Sequence, residues 1–353
     1  MAYESGSEEH GGIDPSELQR MGIAVEDLID FSVNSNPFGP PPVVRRAILQ
    51  VDLSGYPDRH CAALRSQLAD ANRVQPQEVL VGNGTAELIW LAAHALLRPG
   101  DTVLIVGPTF GEYRRAAEQC GAQVIEVAAQ PPDFSPPLQQ VIELVRNRRP
   151  RLVFLCDPNN PTGQRLTPSG LDALLEACRE PTCLLLDHAY RAFVDGVFFN
   201  PPPPGNCLVL RSMTKDFALA GLRLGYALGD PALLEQLEAY RPAWSVNAAA
   251  QAAGLAVLDD LAYYRRTLAA LQGLCNDFFN RLGAGGFEPL QTCVHFTLLP
   301  TRLPAIEVRG RLLRQAIQVR DCASFGLPQH IRISTQLPEQ NRRLLAALPD
   351  ALR

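Results

Sequence analysis

LVFLCDPNNPTG (Leu152–Gly163), CLLLDHAY (Cys183–Tyr190) and CLVLRSMTK (Cys207–Lys215) share one design: each opens on an apolar run and closes on polar residues. Strands that are apolar throughout are those with helices over both faces of the sheet, the arrangement of parallel sheets. In open α/β sheets ligands lie beyond the carboxyl ends of the strands. The residues after these three runs, Asp157 to Gly163, Asp187 to Tyr190 and Ser212 to Lys215, would therefore converge on one crevice.

Outward from this centre, apolar runs alternate with helical patterns from about residue 79 to 229, which reads as parallel strands joined by crossover helices. The spacing predicts strands over Thr102–Val106, Leu152–Cys156, Cys183–Leu186, Cys207–Leu210 and Gly225–Leu228. Helices are predicted over Thr85–Leu97 and Thr167–Arg179, the second with Thr167 as N-cap and Pro168 in the first helical position. The proline run at 201–204 and the pair Pro131–Pro132 read as exposed connections. After about Tyr240 the pattern becomes a long helical stretch followed by short strands such as Val294–Leu298 and His330–Ser334, a second and smaller α+β unit. The expected division is an N-terminal arm (1–45) packing with the small domain, a large domain (46–238) and a small C-terminal domain (239–353).

With 353 residues, 46% of them hydrophobic and 20% charged, the chain can bury a sizeable core. A formal charge of -5 with both signs interspersed carries no nucleic-acid footprint and no basic membrane patch, leaving small molecules as the expected partners. Met1 to Ile13 lacks the basic and then apolar pattern of a secretory leader, so a cytoplasmic location is expected. The nine cysteines form no CxxC pair and several sit inside apolar runs, which argues for buried thiols over disulfides or a metal site.

One count is sharper. Of the 32 Lys and Arg residues, Lys215 alone is a lysine. Arginine replaces lysine at most solvated positions but does not lose its proton near neutral pH, and an imine needs a neutral primary amine. A drift towards arginine would spare only a position where that chemistry is required. Pyridoxal 5'-phosphate (PLP) needs such an amine for its aldehyde, a carboxylate for its pyridine nitrogen, and donors for its O3' and phosphate. The predicted crevice supplies all of them. Singly the signals are bland, since a strand-end Asp is often an N-cap and DPNNPTG alone is a plausible turn.

Together, DPNNPTG, DHAY and SMTK followed by GLRLGY resemble the fold-type I aminotransferases in order and spacing. The resemblance spans essentially the whole chain. It implies an α/β fold: a mostly parallel, helix-covered sheet in a large PLP-binding domain, with a smaller α+β domain. It makes Lys215 the cofactor lysine, Asp187 the pyridinium partner, and Asn160 and Tyr190 the donors to O3', with Lys215, Asp187 and Tyr190 catalytic. Phe110 would stack on the ring; Gly84, Thr85 and Ala86 would take the phosphate at a helix N-terminus, aided by Ser212, Thr214 and Arg223. Arg332 in HIRIS would grip the substrate carboxylate, and Tyr56 in GYPD would serve the partner's cofactor in a homodimer.

Within that fold type, FSVNSNPFGPP and YPDRHC look like the branch that holds histidinol-phosphate aminotransferase and threonine-phosphate decarboxylase. Glu9-His10-Gly11-Gly12, Asp30-Phe31-Ser32, Trp244-Ser245-Val246-Asn247 and Val319-Arg320-Asp321-Cys322 lean towards the decarboxylase. His10, Asn36 and Arg320 then become the clamp for the substrate phosphate. The expected reaction is decarboxylation of L-threonine O-3-phosphate to aminopropanol phosphate in cobalamin biosynthesis. The alternative is an aminotransferase acting on histidinol phosphate or another amino acid, and a third reading is a binding protein without turnover. Asp216, directly after the lysine, is not a mark of the family, and His188 is assigned no role.

Overall fold

A computed structural model describes residues 11–196, 199–203 and 205–353. The first strand, β1 (Ile29–Asp30), is followed by β2 (Val79–Gly82), β3 (Thr102–Gly107), β4 (Gln123–Ala128), β5 (Leu152–Cys156), β6 (Cys183–Asp187), β7 (Cys207–Ser212) and β8 (Gly225–Leu228). Strands β2 to β8 form one seven-stranded sheet in the order β2-β8-β7-β6-β5-β3-β4. Alternate residues of the same strand feed two different cores. Leu184 and Leu186 of β6 lie in the core under one face, Cys183 and Leu185 in the core under the other. Both faces are therefore dry, which is why these strands read as unbroken apolar runs.

Local sequence sets the covering helices. Thr167 caps the helix Pro168–Ala177, its Oγ1 accepting from Gly170 N at 3.1 Å, with proline in the first turn where no donor is missed. The helix Gly84–Leu96 starts straight after β2.

Two details depart from the expectation. Strand β8 runs antiparallel to both β7 and β2. A parallel return needs a crossover, usually a helix; residues 213–224 instead form the turn that carries Lys215 and one short 3-10 helix, Ala220–Leu222, so the chain simply reverses. Strand β4 escaped prediction because it is the sheet edge, paired with β3 alone, and carries exposed Gln123 and Glu126.

Beyond the sheet lie β9 (Phe296–Pro300), β10 (Ile317–Gln318), β11 (Arg320–Asp321) and β12 (His330–Ser334). Strands β11, β12 and β9 form an antiparallel sheet, and β1 pairs with β10 in parallel. Ile29 and Phe31 thus join a third core with Leu299, Ile317 and Ile331. The 24-residue helix Leu261–Ala284 touches both parts: Tyr264 and Leu268 belong to a core of the large sheet, Phe278 and Leu282 to the C-terminal one. No helix among the described residues is long and apolar enough to cross a membrane.

Candidate active site

Strands β5, β6 and β7 are neighbours, with Asp187 aligned between Cys156 and Leu210, so the polar residues that follow all three reach the same end of the sheet. There they enclose a cavity of about 420 Å³, the size of a cofactor or small-ligand site. Among the residues anticipated from sequence, Thr85, Ala86, Phe110, Asn160, Asp187, Tyr190, Thr214, Lys215, Arg223, Arg320 and Arg332 line it.

Asp187 closes β6 and is buried. Its Oδ2 accepts from Tyr113 Oη at 2.7 Å and its Oδ1 from Ala189 N at 2.9 Å. Burial raises its pKa, while these donors and the charge of Lys215 oppose the rise by favouring the carboxylate. A protonated ring nitrogen arriving at this carboxylate would add a further stabilising partner.

Tyr113 was not anticipated. It sits on the helix Glu112–Gln119 one turn beyond Phe110, stacks on Phe154 with centroids 5.0 Å apart and meets Phe110 edge to face. A tyrosine at an inward helical position reads as core, and nothing in its spacing announces the carboxylate it meets. Tyr113→Phe keeps the stacking and removes the donor; a hydrogen bond to a charged group is worth about 1.5–3 kcal/mol. Turnover should fall ~10-fold to ~100-fold with little change in KM, measured by steady-state kinetics.

Lys215 is only partly exposed, and it lines the cavity. Burial, then the charges of Arg332 and Arg223, pull its pKa down to about 8, with Asp187 acting the other way. The sign is that of a cation disfavoured in its site: the amine is protonated below this pH and nucleophilic above it. Capture of PLP by the cofactor-free protein should therefore accelerate as pH rises and level off above about 8, well short of the ordinary lysine value of 10.5; stopped-flow absorbance reads this directly.

Tyr190 is buried, its pKa pushed up to about 12 by desolvation, so its hydroxyl stays a donor. Asn34 Nδ2 lies 3.4 Å from that hydroxyl. Asn160 accepts from Arg332 through Oδ1, which leaves its amide nitrogen as the donor.

One anion cradle stands at the start of the helix Gly84–Leu96, where Thr85 and Ala86 meet Thr214 and Arg223. Gly84 has φ +79, and a Cβ there would come within 2.8 Å of Arg223 Nη2, so only glycine lets the guanidinium approach the helix end. Ser212 supports this wall without lining it, its Oγ lying 2.7 Å from Thr214 Oγ1. A second cationic wall comes from the small sheet. Arg320 of β11 and Arg332 of β12 are directly opposed cross-strand partners, an arrangement of like charges that is destabilising until an anion enters. Ser324 Oγ accepts from Arg320 Nη2 at 2.6 Å and the Ser32 carbonyl accepts from Arg332 Nη2, which aims both side chains.

Two anticipated residues, Asn36 and Tyr56, lie elsewhere. Asn36 is corrected: it does not line the cavity, and its buried amide donates to Asp216 O and Thr267 Oγ1, both at 3.1 Å, because the turn behind Lys215 consumes it. Tyr56 is 83% exposed and stacks on Trp244 at 4.7 Å. His10 lies outside the described residues, although Gly11 beside it does line the cavity. The Trp244–Asn247 segment has a local explanation, since Asn247 caps the helix Ala248–Asp259 by accepting from Ala250 N at 2.8 Å. Ser32, Val33, Glu112, Cys156 and Phe325 also line the cavity without having been foreseen.

The family model described as aminotransferase class I and II matches residues 26–348, nearly the whole chain. The chain belongs to the class I and II aminotransferase family. Among its relatives, a histidinol-phosphate aminotransferase of Symbiobacterium thermophilum is 37% identical, over 96% of this chain and 94% of the relative. A histidinol-phosphate aminotransferase of Mannheimia succiniciproducens is 31% identical, over 94% and 92%. By structure, the histidinol-phosphate aminotransferase of Sinorhizobium meliloti, solved with pyridoxal-5'-phosphate, superposes with a TM-score of 0.88 over 100% of this chain and 98% of that one, at 24% identity. The L-threonine-O-3-phosphate decarboxylase of Porphyromonas gingivalis reaches 0.80 over 91% and 98%, at 26% identity. The fold of this aminotransferase-family chain is thus that of the fold-type I enzymes, as its motifs implied.

Proposed function

We propose that this chain binds PLP on Lys215 and transfers the amino group of a phosphorylated amine resembling histidinol phosphate to a 2-oxo acid. The observation that carries the reading is the agreement of sequence relatives named histidinol-phosphate aminotransferase over more than nine-tenths of their length. The decarboxylase reading, first favoured from sequence, has its support in a structural neighbour. Its link to cobalamin biosynthesis has none.

The donor set suits PLP on four counts: a lysine at the cavity wall, a buried carboxylate already holding two hydrogen bonds, a helix N-terminus with an arginine admitted by Gly84, and aromatic Phe110 on the lining. When bound, the cofactor supplies an electron-accepting ring that spreads negative charge away from the substrate α-carbon. Asp187 would hold the ring nitrogen in its protonated form. Asn160 and Tyr190 would donate to O3'. Arg332, with its planar fork, and Arg320 would hold the phosphate of the amine in one half of the reaction and the carboxylates of the 2-oxo acid in the other. The Lys215 amine, on the cavity wall, is then the group that removes and returns protons at the substrate carbon. Tyr56, exposed and outside its own chain's cavity lining, is proposed to serve the site of a second copy in a homodimer.

The test supplies histidinol phosphate with 2-oxoglutarate, and in parallel threonine O-phosphate alone. Glutamate formation from the first supports the proposal. Carbon dioxide release from the second, without glutamate from the first, restores the decarboxylase reading.

A further inference from the structure

Lys215 lies on a turn with no helix or strand of its own to hold it, between the end of β7 and the 3-10 helix Ala220–Leu222. Ala218 on this turn has φ +55, a left-handed conformation that is unfavourable for any residue with a Cβ. Such a turn keeps its shape only where other parts of the chain fix it.

Two contacts reach it from a distance. Asn36 donates from its backbone N to the Lys215 carbonyl at 2.8 Å and from Nδ2 to the Asp216 carbonyl at 3.1 Å, strapping both of these consecutive peptide oxygens. The Asp216 carboxylate accepts from Tyr264 Oη at 2.6 Å and, through its other oxygen, from Phe217 N at 3.0 Å. Thr267 Oγ1 accepts from Asn36 Nδ2 at 3.1 Å and donates to Tyr264 O at 3.1 Å, closing the circuit. Phe217 stacks on Tyr264 at 4.2 Å. Asn36, Asp216, Tyr264 and Thr267 are all buried, and burying a carboxylate is costly unless hydrogen bonds satisfy it, so the shape of this turn depends on the partners of Asp216 being held in place.

We infer that Asn36, Asp216, Tyr264 and Thr267 form a clasp that positions the Lys215 amine, anchoring the turn to the helix Leu261–Ala284. The inference rests on the reading of Lys215 as the cofactor lysine. The four are positioning residues: none lines the cavity, and they act through the main chain of Lys215. Since that helix also enters the C-terminal core, the clasp ties the lysine to the unit that carries Arg332.

The test uses the PLP-loaded protein with Tyr264→Phe, Thr267→Val and the pair combined. Each substitution removes one hydroxyl and keeps the bulk. In the double variant kcat is expected to fall about tenfold or more, because small misplacement of a reacting group is costly. KM for histidinol phosphate should stay within about twofold, and the pH midpoint of the cofactor's visible band should move by at least about 0.5 pH unit, as the amine's surroundings change. Folded variants with wild-type kcat and wild-type midpoint, altered only in melting temperature, overturn the clasp and reduce it to packing. If Tyr264→Phe does not fold, Thr267→Val alone carries both readouts: a lower kcat with a moved midpoint supports the clasp, and wild-type values for both overturn it. A wild-type protein that gains no visible band with PLP overturns the underlying reading, and the clasp with it, before any variant is compared.

Discussion

In Lys215→Ala, turnover is expected to fall by about 10³-fold to 10⁴-fold, the upper part of the range for a lost general base, and the visible band of the PLP-loaded protein should vanish. No other position can take over, because the chain holds no second lysine. The fold should survive. Lys215 contributes to none of the hydrophobic cores, and its depressed pKa means that the folded state disfavours the charged amine between Arg332 and Arg223. Removing it should leave the melting temperature of the cofactor-free protein at neutral pH unchanged or slightly raised, as read by calorimetry. A visible band retained in the variant would refute the assignment of Lys215.

Asp187→Asn should be the next most damaging change. Asparagine keeps the shape at the end of β6: its Oδ1 can still accept from Ala189 N, and its Nδ2, in the place of the other oxygen, can donate to Tyr113 Oη, so structure is retained while the charge is lost. Without that charge the ring nitrogen has no anionic partner in a buried site, where losing one member of an ion pair costs about 3–5 kcal/mol. A fall in kcat of roughly 10²-fold to 10³-fold is expected, with the α-proton exchange rate in deuterated water falling in parallel. Turnover within about threefold of wild type would show that Asp187 does not govern the ring nitrogen.

What could be read from sequence, and what could not, follows from how each residue signals its surroundings. Strands β5, β6 and β7 are apolar on both faces and end in polar residues, so their place and the crevice beyond them were legible. The direction of β8 was not, because a fully buried strand reads the same either way and only the connection decides it. Edge strand β4 hid behind Gln123 and Glu126, whose side chains meet solvent. Asn36 could be recognised as polar in a tight turn, but whether its amide faces a cavity or the back of a neighbouring turn depends on residues some 180 positions away. Tyr113 carried no signal at all, since a helix surface places it against Asp187 only after the sheet has formed. Asp216 did stand out as unexpected, and Tyr264, 48 positions on, gives the reason.

The solitary lysine also makes the chain its own probe of local opening. A lysine-specific protease has one place to cut in all 353 residues, the bond between Lys215 and Asp216. That bond is recessed, and the carbonyls of both residues are bound by Asn36. Cleavage therefore waits for this turn to open, and at low protease its rate follows the equilibrium between closed and open forms. Two fragments, divided at residue 215, would time the unlatching of a single turn without any label being added.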